Sequence, residues 1–295
     1  MAILLGFTGV LAFSFTLPAT RVAVDGLDPT FVGIGRTVAA AALAGAFLAW
    51  RREPLPTSDQ IRRLGLVALG VVFGWPLLSA LALRDLPSAE AAVIAGLLPA
   101  ATAVAAVARA GERPSRSFWL ASGVGLVMVL AFAATQGAGV PRGGDWLVLA
   151  AVALASLGYA EGATLTREMG GRRVISWALV LSLPLTIPIT AVSAVGGVGG
   201  GNSADWLCFA YVALISQFLG FFAWYAGLAR GGVAKIGQIQ LAQPLLTLIW
   251  SAALLGESVG LATIAAATGV VLSVAATQRT RVERGRHDPV LASGP

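Results

Sequence analysis

Ten apolar runs follow one another along this chain, and each is long enough to form a helix that crosses a lipid bilayer. A strand of a membrane barrel would be about half as long and would alternate apolar with polar residues, which these runs do not. The predicted spans lie near residues 2–20, 31–50, 64–84, 88–109, 116–134, 146–166, 174–195, 206–229, 233–254 and 261–278. The sequence therefore predicts an all-α integral membrane protein with ten transmembrane helices.

The small share of charged residues supports this interpretation. Hydrophobic residues make up 57% of the 295 residues and charged residues only 12%, about half of the usual share. So few charges cannot solvate the surface of a soluble protein of this size, so a soluble enzyme is excluded. The net charge of +6 does not indicate a nucleic-acid partner, because the arginines stand in short clusters between the apolar runs.

Single cysteine and histidine residues narrow the possible chemistry. Cys208 alone cannot form an intrachain disulfide, and His287 alone argues against a zinc site or a histidine-dependent nucleophile. The phosphate-binding pattern GxxxxGK[ST] does not occur, which argues against ATP-driven pumping. We therefore predict no catalytic residue, no metal and no cofactor.

The distribution of lysine and arginine predicts the orientation in the membrane. With the N-terminus in the cytoplasm, sixteen of the 20 basic residues fall in the cytoplasmic loops and the tail, and three fall on the opposite side. Basic residues accumulate on the cytoplasmic side of membrane proteins, so both termini are predicted to be cytoplasmic. The N-terminal run lacks the basic start of a signal peptide and is interpreted as the first span.

An internal repeat relates the two halves of the chain at an offset of 145 residues. Identical pairs include Pro99 with Pro244, Thr102 with Thr247, Gly111 with Gly256 and Glu112 with Glu257. The segment 51–63 is rich in arginine, whereas its counterpart around 194–206 contains no basic residue. Because each half holds an odd number of spans, the halves are predicted to be inverted, which is typical of secondary transporters with a site near the midplane.

The repeat divides the chain into four predicted parts. Residues 1–135 form the first repeat with spans one to five, and residues 136–145 form a linker. Residues 146–278 form the second repeat with spans six to ten, and residues 279–295 are predicted to be a disordered cytoplasmic tail.

Two segments share an ordered set of features: a helix end of small residues, a short loop, a proline within the next helix and a Gly-Glu pair at its end. They read ALALRDLPSAEAAVIAGLLPAATAVAAVARAGERPSRSFWLASGVGLVMV and YAGLARGGVAKIGQIQLAQPLLTLIWSAALLGESVGLATIAAATGVVL. This set resembles the EamA repeat of the drug/metabolite transporter (DMT) superfamily, in two copies that cover nearly the whole chain. Within that superfamily, the chain is most similar to bacterial amino-acid exporters of the YddG type.

The resemblance implies a secondary transporter that exports amino acids across the bacterial inner membrane by alternating access. Its partners would be small-molecule substrates and the lipid bilayer, and it would act as a monomer. Such exporters can place aromatic residues beside the proline of the fourth span, where this chain has Gly96, Leu97 and Leu98 before Pro99. The difference favours aromatic and other amino acids over an aromatic-only range.

Two other classes stay open at this point. An exporter of drugs or other small metabolites from the same superfamily is the main alternative, although a nucleotide sugar is disfavoured because basic residues in mid-span are nearly absent. An intramembrane enzyme or a sensor that does not transport is the second. An enzyme is disfavoured because Glu161 is the one convincingly central acid.

Glu161 lies in the middle of the sixth predicted span, where an ionised carboxylate costs about 2.5–3.5 kcal/mol. We predict that it faces a central cavity, where it would bind an ammonium group or exchange a proton. The alternative is a structural hydrogen bond at a helix bend. Tyr159 could contact the same ligand, or it could anchor the helix at the membrane interface.

Three glutamines precede Pro244 in the ninth predicted span. Gln240 and Gln243 share a helix face, whereas Gln238 lies on another side. Amides both donate and accept hydrogen bonds, as a zwitterionic amino acid requires, although they could instead join helices to one another. Pro244 and its counterpart Pro99 are candidate hinges or static kinks.

The eighth predicted span carries Gln217, Phe221 and Trp224 on one face, which suits either a cavity wall or helix packing. Ser79 is the residue of the third span that corresponds to Trp224. The predicted substrate-binding residues are therefore Ser79, Tyr159, Glu161, Gln217, Trp224, Gln238 and Gln243, with Pro99 and Pro244 as hinges.

Charged residues near the ends of the predicted spans have weaker interpretations. Arg36 in the second span is predicted to extend toward the interface, or to pair with Glu90 or Asp25 near the outer face. Glu112 and Glu257 are predicted to have structural roles, bonding backbone where the two repeats pack together.

Overall fold

The computed structural model describes residues 1–135 and 143–255, and the short pieces 265, 268–269, 272–273, 275–277, 279–280 and 282–284. Most of the described chain is helical, as the apolar runs predict. The helices are α1 (Ala2–Gly26), α2 (Phe31–Arg51), α3 (Ser58–Asp85), α4 (Ser88–Ala95), α5 (Leu98–Ala110), α6 (Arg116–Thr135), α7 (Gly143–Met169), α8 (Gly171–Val195), α9 (Ser203–Gly231), α10 (Val233–Gly237) and α11 (Gln243–Leu255).

Six helices of the described part are long and apolar enough to cross a membrane, namely α1, α2, α3, α7, α8 and α9. The predicted fourth and ninth spans are each divided, into α4 and α5 and into α10 and α11, and α6 corresponds to the fifth. Most of the predicted tenth span (261–278) and of the linker (136–145) lies outside the described residues. A helical membrane protein is therefore supported, and the count of ten spans stays a prediction.

A short two-stranded sheet connects the end of α5 with the C-terminal segment. Strand β1 (Glu112–Pro114) pairs antiparallel with β2 (Val282–Arg284). Arg113 lies opposite Glu283, and opposite charges across a strand pair stabilise it. The prediction that the whole tail is disordered is thus wrong for these three residues.

The offset of 145 residues also relates the helix boundaries. Helices α3 and α9 begin at Ser58 and Ser203, each after a capping box, and each contains a π-helical segment, Ala68–Gly74 and Val212–Leu219. Helices α5 and α11 begin at equivalent positions, directly before Pro99 and Pro244. Proline fits the first turn of a helix, where its missing N–H donor is not needed. These two pairs of helices therefore share one pattern of boundaries and breaks.

The divided helices of the two halves run in opposite directions. Beyond the end of α5, the carboxylate of Glu112 accepts hydrogen bonds from Val233 N at 2.7 Å and Ala234 N at 2.8 Å, at the start of α10. At the start of α4, Ser88 Oγ lies 3.2 Å from Ser251 Oγ in α11. The end of each divided helix thus lies beside the start of the other. Glu112 has the structural role predicted for it, whereas Glu257 lies outside the described residues.

Replacing Glu112 by alanine should lower the free energy of unfolding by about 2 kcal/mol, because the fully buried carboxylate satisfies two backbone N–H groups at a helix start. Thermal unfolding of the purified protein in detergent measures this loss. Arg167 lies 3.8 Å from the same carboxylate and is partly exposed, so Arg167→Gln should change the midpoint little. Equal losses in the two variants would contradict the role of the backbone contacts.

Candidate substrate site

The π-helical segment of α3 makes backbone carbonyls available at the centre of the helix bundle. In a π-helical turn the hydrogen bonds run from i to i+5, and such turns occur frequently at functional sites. Gln217 Nε2 donates to the carbonyl of Val71 at 2.9 Å, and Thr37 Oγ1 donates to the carbonyl of Val72 at 2.9 Å. Since Gln217 belongs to the π-helical segment of α9, this bond joins the two irregular segments of the repeat.

A small cavity lies beside this junction. Its volume is about 10 Å³, roughly the room that one water molecule needs. It is lined by Phe13, Thr16, Val71, Trp75, Tyr159, Ser216, Gln217, Phe221 and Gln243. These residues come from α1, α3, α7, α9 and α11, so both halves of the chain contribute. The cavity must widen before it can hold a molecule as large as an amino acid.

Aromatic rings form one wall of the site. The ring centroids of Phe13 and Phe221 lie 4.9 Å apart, and those of Tyr159 and Trp224 lie 5.4 Å apart in an edge-to-face arrangement. Trp224 is completely buried, and its Nε1 has no hydrogen-bond partner among the described residues. Three chain segments that are distant in sequence thus bring their rings to one place.

A pair of hydroxyl groups forms the polar side of the cavity. Thr16 Oγ1 and Ser216 Oγ lie 2.7 Å apart, and both side chains are buried. Sequence reasoning missed this pair, because a single threonine or serine in an apolar helix is common. Because the two residues lie 200 positions apart, no local pattern indicates that they meet, and the polarity of each residue is the one available signal of this site.

The amides of the ninth predicted span cluster where that helix is broken, over the 3₁₀ segment Gln238–Ala242. Gln238 Nε2 donates to the carbonyl of Pro99 at 3.3 Å, which links the breaks of the two halves. Within the described part of the chain, Gln238 Oε1 and Gln243 Oε1 have no hydrogen-bond partner. The Gln240 amide makes no bond of good geometry either, although the Tyr159 hydroxyl lies near it. Buried amides without partners are costly, so this group is unusual for a helix interior.

The structure does not bring all of the predicted residues together. Tyr159, Gln217 and Gln243 line the cavity, and Trp224 packs against Tyr159. Gln238 lies at the helix break instead of in the cavity wall. Ser79 does not line the cavity, and its hydroxyl donates to the carbonyl of Trp75 in its own helix at 2.6 Å.

Glu161 does not line the cavity but binds arginines at the basic side of the bundle. Its Oε1 lies 2.5 Å from Arg63 Nε at the start of α3, and its Oε2 lies 2.6 Å from Arg109 Nη2 at the end of α5. Arg63 also binds Glu168 at 2.5 Å and Thr164 at 2.8 Å. The expectation that Glu161 faces a central cavity is therefore corrected by its contacts, since both carboxylate oxygens are already occupied.

The sequence-based expectation for Glu161 did not include the two arginines that bind it. Arg63 and Arg109 both belong to the basic side of the sequence, and Glu161 lies fewer than two helical turns before Arg167 on the same side. The short separation of Glu161 from Arg167 in the sequence was the signal that could have placed Glu161 toward the basic end of α7 instead of at its centre.

Comparison with known proteins agrees with the repeat and the fold. Residues 1–134 and residues 142–278 each match the EamA-like transporter family. The chain belongs to this family. It is 47% identical over 274 residues to the "Uncharacterized transporter YdeK" of Bacillus subtilis (strain 168), covering 93% of this chain and 96% of that protein.

More distant similarities extend the comparison. "Uncharacterized transporter YcbK" of the same organism is 23% identical over 128 residues, or 42% of this chain and 41% of that protein. A protein of known crystal structure superimposes with a TM-score of 0.76 over 94% of this chain and 98% of that chain, at 19% identity. At that identity the match supports the fold alone. Membership of the EamA family makes the chain a multi-pass membrane transporter.

Proposed function

We propose that this EamA transporter is a secondary carrier that exports amino acids and similar small zwitterions across the bacterial inner membrane. Two inverted five-helix halves would move around the central cavity and expose it to each side in turn. The antiparallel arrangement of the divided helices supports this proposal. The prolines at the two breaks are the proposed hinges, since each begins the second part of a divided helix.

The observation that carries the proposal is the group of buried, unsatisfied amides beside the cavity. Gln240 and Gln243 offer donors and acceptors, and the Trp224 indole adds a donor. A zwitterion needs acceptors for its ammonium group and donors for its carboxylate, so it could satisfy both kinds of group at once. The rings of Phe13 and Phe221 would then contact its apolar side chain.

A carrier of cationic drugs fits these residues less well. A cation bound in a membrane protein usually needs a carboxylate that is not already paired. Among the residues that line the cavity there is no acid, and Glu161 binds two arginines. Small neutral or zwitterionic molecules are therefore the better match.

Uptake of a radiolabelled amino-acid panel into proteoliposomes, with and without a pH gradient, tests the proposal. Saturable flux is expected for several amino acids, and Gln243→Leu should reduce it at least tenfold because it removes an amide from the cavity wall. Ser156→Ala is the control, since this buried hydroxyl bonds to the carbonyl of Ala153 in its own helix at 2.8 Å. No flux for any amino acid would overturn the substrate proposal and favour other small metabolites.

A further inference from the structure

Arg36 is a buried, charged side chain near the start of α2, without a counter-ion among the described residues. It is 0% exposed, and it follows directly on the π-helical segment Phe31–Gly35 of α2. None of its three guanidinium nitrogens has a hydrogen-bond partner in the part of the chain that the structure describes. A guanidinium keeps its charge in proteins and carries five donors, so leaving all of them unsatisfied is very costly.

Asp25, one of the two counter-ions expected from the sequence, does not account for this burial. Asp25 binds Arg21 at 2.6 Å, one helical turn away, and the Asp25 side chain is exposed. The pair of Arg36 with Asp25 predicted from the sequence is therefore not formed. The Glu90 side chain lies outside the described part of the structure, and the stability experiment below tests whether it pairs with Arg36.

The orientation of α2 directs Arg36 toward the helix that carries the polar wall of the cavity. Phe47 lies eleven residues after Arg36, about three helical turns, so the two share a face of α2. Phe47 packs against Phe222 of α9 with ring centroids 5.7 Å apart. The same face at Arg36 is therefore turned toward α9, in which Ser216 and Gln217 line the cavity.

Ring contacts also fix the level of Arg36 along α9. Phe31, just before it, stacks on Phe209 with centroids 5.4 Å apart, and Phe47 reaches Phe222. Arg36 lies between these contacts and thus within about one turn of the level of Ser216. Side chains in a helix lean toward its N-terminus, which for α2 is the side with few basic residues. Arg36 therefore lies between the cavity and that side.

A second unsatisfied donor lies on the same side of the cavity. Thr20 follows the cavity-lining Thr16 by one turn of α1, is completely buried, and its Oγ1 has no partner among the described residues. Both α1 and α2 pack against α9 here. A guanidinium and a hydroxyl group are the donors that a carboxylate requires.

We propose that Arg36 is the carboxylate-binding group of the transport site, so that transported substrates must carry a carboxylate. The planar fork of the guanidinium would hold both carboxylate oxygens in a bidentate pair as the substrate passes toward the outer side. This inference rests on the proposed function, because it names the chemical group by which the same cavity recognises its substrate.

Leucine and leucinamide form the first test, since they differ only in carboxylate and amide. Binding to the purified protein in detergent is measured by the ligand-induced rise of the unfolding midpoint across a concentration series. The wild type should bind leucine at least tenfold more tightly than leucinamide, and Arg36→Gln should reduce this preference to about twofold or less. Arg36→Lys keeps the charge but not the fork, so it should keep a smaller preference. Arg21→Gln, at an exposed ion pair, should bind like the wild type.

Stability without ligand is the second test, and it separates a binding role from a structural one. If Arg36 awaits a carboxylate from the substrate, Arg36→Met should unfold at the same midpoint as the wild type or a few degrees higher. A lower midpoint for both Arg36→Met and Glu90→Gln, with no further loss in the double variant, would show a structural ion pair and overturn the proposal.

Benzoate is a carboxylate that is not an amino acid, and benzamide is its control without a carboxylate. Binding of benzoate in preference to benzamide distinguishes failure of this inference from failure of the proposed function. If amino acids neither bind nor move but benzoate stabilises the wild type and not Arg36→Gln, amino-acid transport is wrong and the carboxylate site stands. If leucine is bound and carried with the same preference by Arg36→Gln, the transport proposal stands and the role of Arg36 is wrong. If neither leucine nor benzoate stabilises the wild type, the carboxylate site is wrong.

Discussion

Replacing Glu161 by glutamine is expected to lower the free energy of unfolding by about 2 kcal/mol and to open the basic side of the helix bundle. The carboxylate is 3% exposed and binds Arg63 and Arg109, which come from the start of α3 and the end of α5. Removing one partner of a buried ion pair usually costs about 3–5 kcal/mol. The expected loss is smaller here, because both arginines remain partly exposed and can be hydrated.

The same substitution should change transport because these ion pairs hold three helices together on one side of the cavity. The proposed alternating access requires that side to open and close, so weakening the closed form by 1.4 kcal/mol would shift the ratio of closed to open about tenfold. Spin labels at Arg62→Cys and Ala108→Cys, in a Cys208→Ser background, measure the distance between α3 and α5. We expect a longer and broader distance distribution in Glu161→Gln, together with slower uptake.

Glu168 provides a control within the same network. Its carboxylate binds Arg63 at 2.5 Å, as that of Glu161 does, but its side chain is 44% exposed. Glu168→Gln should therefore cost less than about 0.5 kcal/mol and leave the label distance unchanged. Similar effects of the two substitutions would mean that burial of Glu161 contributes nothing to closure.

The location of Glu161 shows where the sequence stops being informative. The helix continues to Met169, beyond the predicted span of 146–166, so a residue judged central lies close to the basic end. Its partners Arg63 and Arg109 lie 98 and 52 residues away. Which loop arginine reaches a buried acid depends on how helices pack, and no local pattern encodes that packing.

The glutamines were easier to predict because a polar side chain within an apolar helix must be satisfied by something other than water. Gln217 and Gln243 both line the cavity. Apolar length and the proline spacing likewise predicted the helices and the repeat. The π-helical segment Ala68–Gly74 could not be predicted, since its sequence ALGVVFG has no feature that distinguishes it from an α-helix.

Replacing Gly70 by alanine should cost about 3 kcal/mol or more and abolish transport, because α3 and α7 touch backbone to backbone at this position. A Cβ at Gly70 would overlap the carbonyl oxygen of Leu154 and lie 3.0 Å from the Cα of Gly158. Backbone atoms cannot rotate aside, so the helices must separate. The neighbouring Val71 and Tyr159 both line the cavity, so the separation would also distort the site.

Gly65 is a matched control in the same helix, since a Cβ there meets no described atom within 4 Å. Alanine favours a helix by up to about 1 kcal/mol over glycine, so Gly65→Ala should raise the unfolding midpoint while Gly70→Ala lowers it. The unfolding midpoint and the uptake rate in proteoliposomes, measured for each variant, test this prediction. Opposite signs for one chemical change in one helix would show that close contact, not helix propensity, sets the requirement for glycine at Gly70. Changes of equal sign in the two midpoints would mean that α3 and α7 are not in contact at Gly70. The cavity would then not be lined by these two helices.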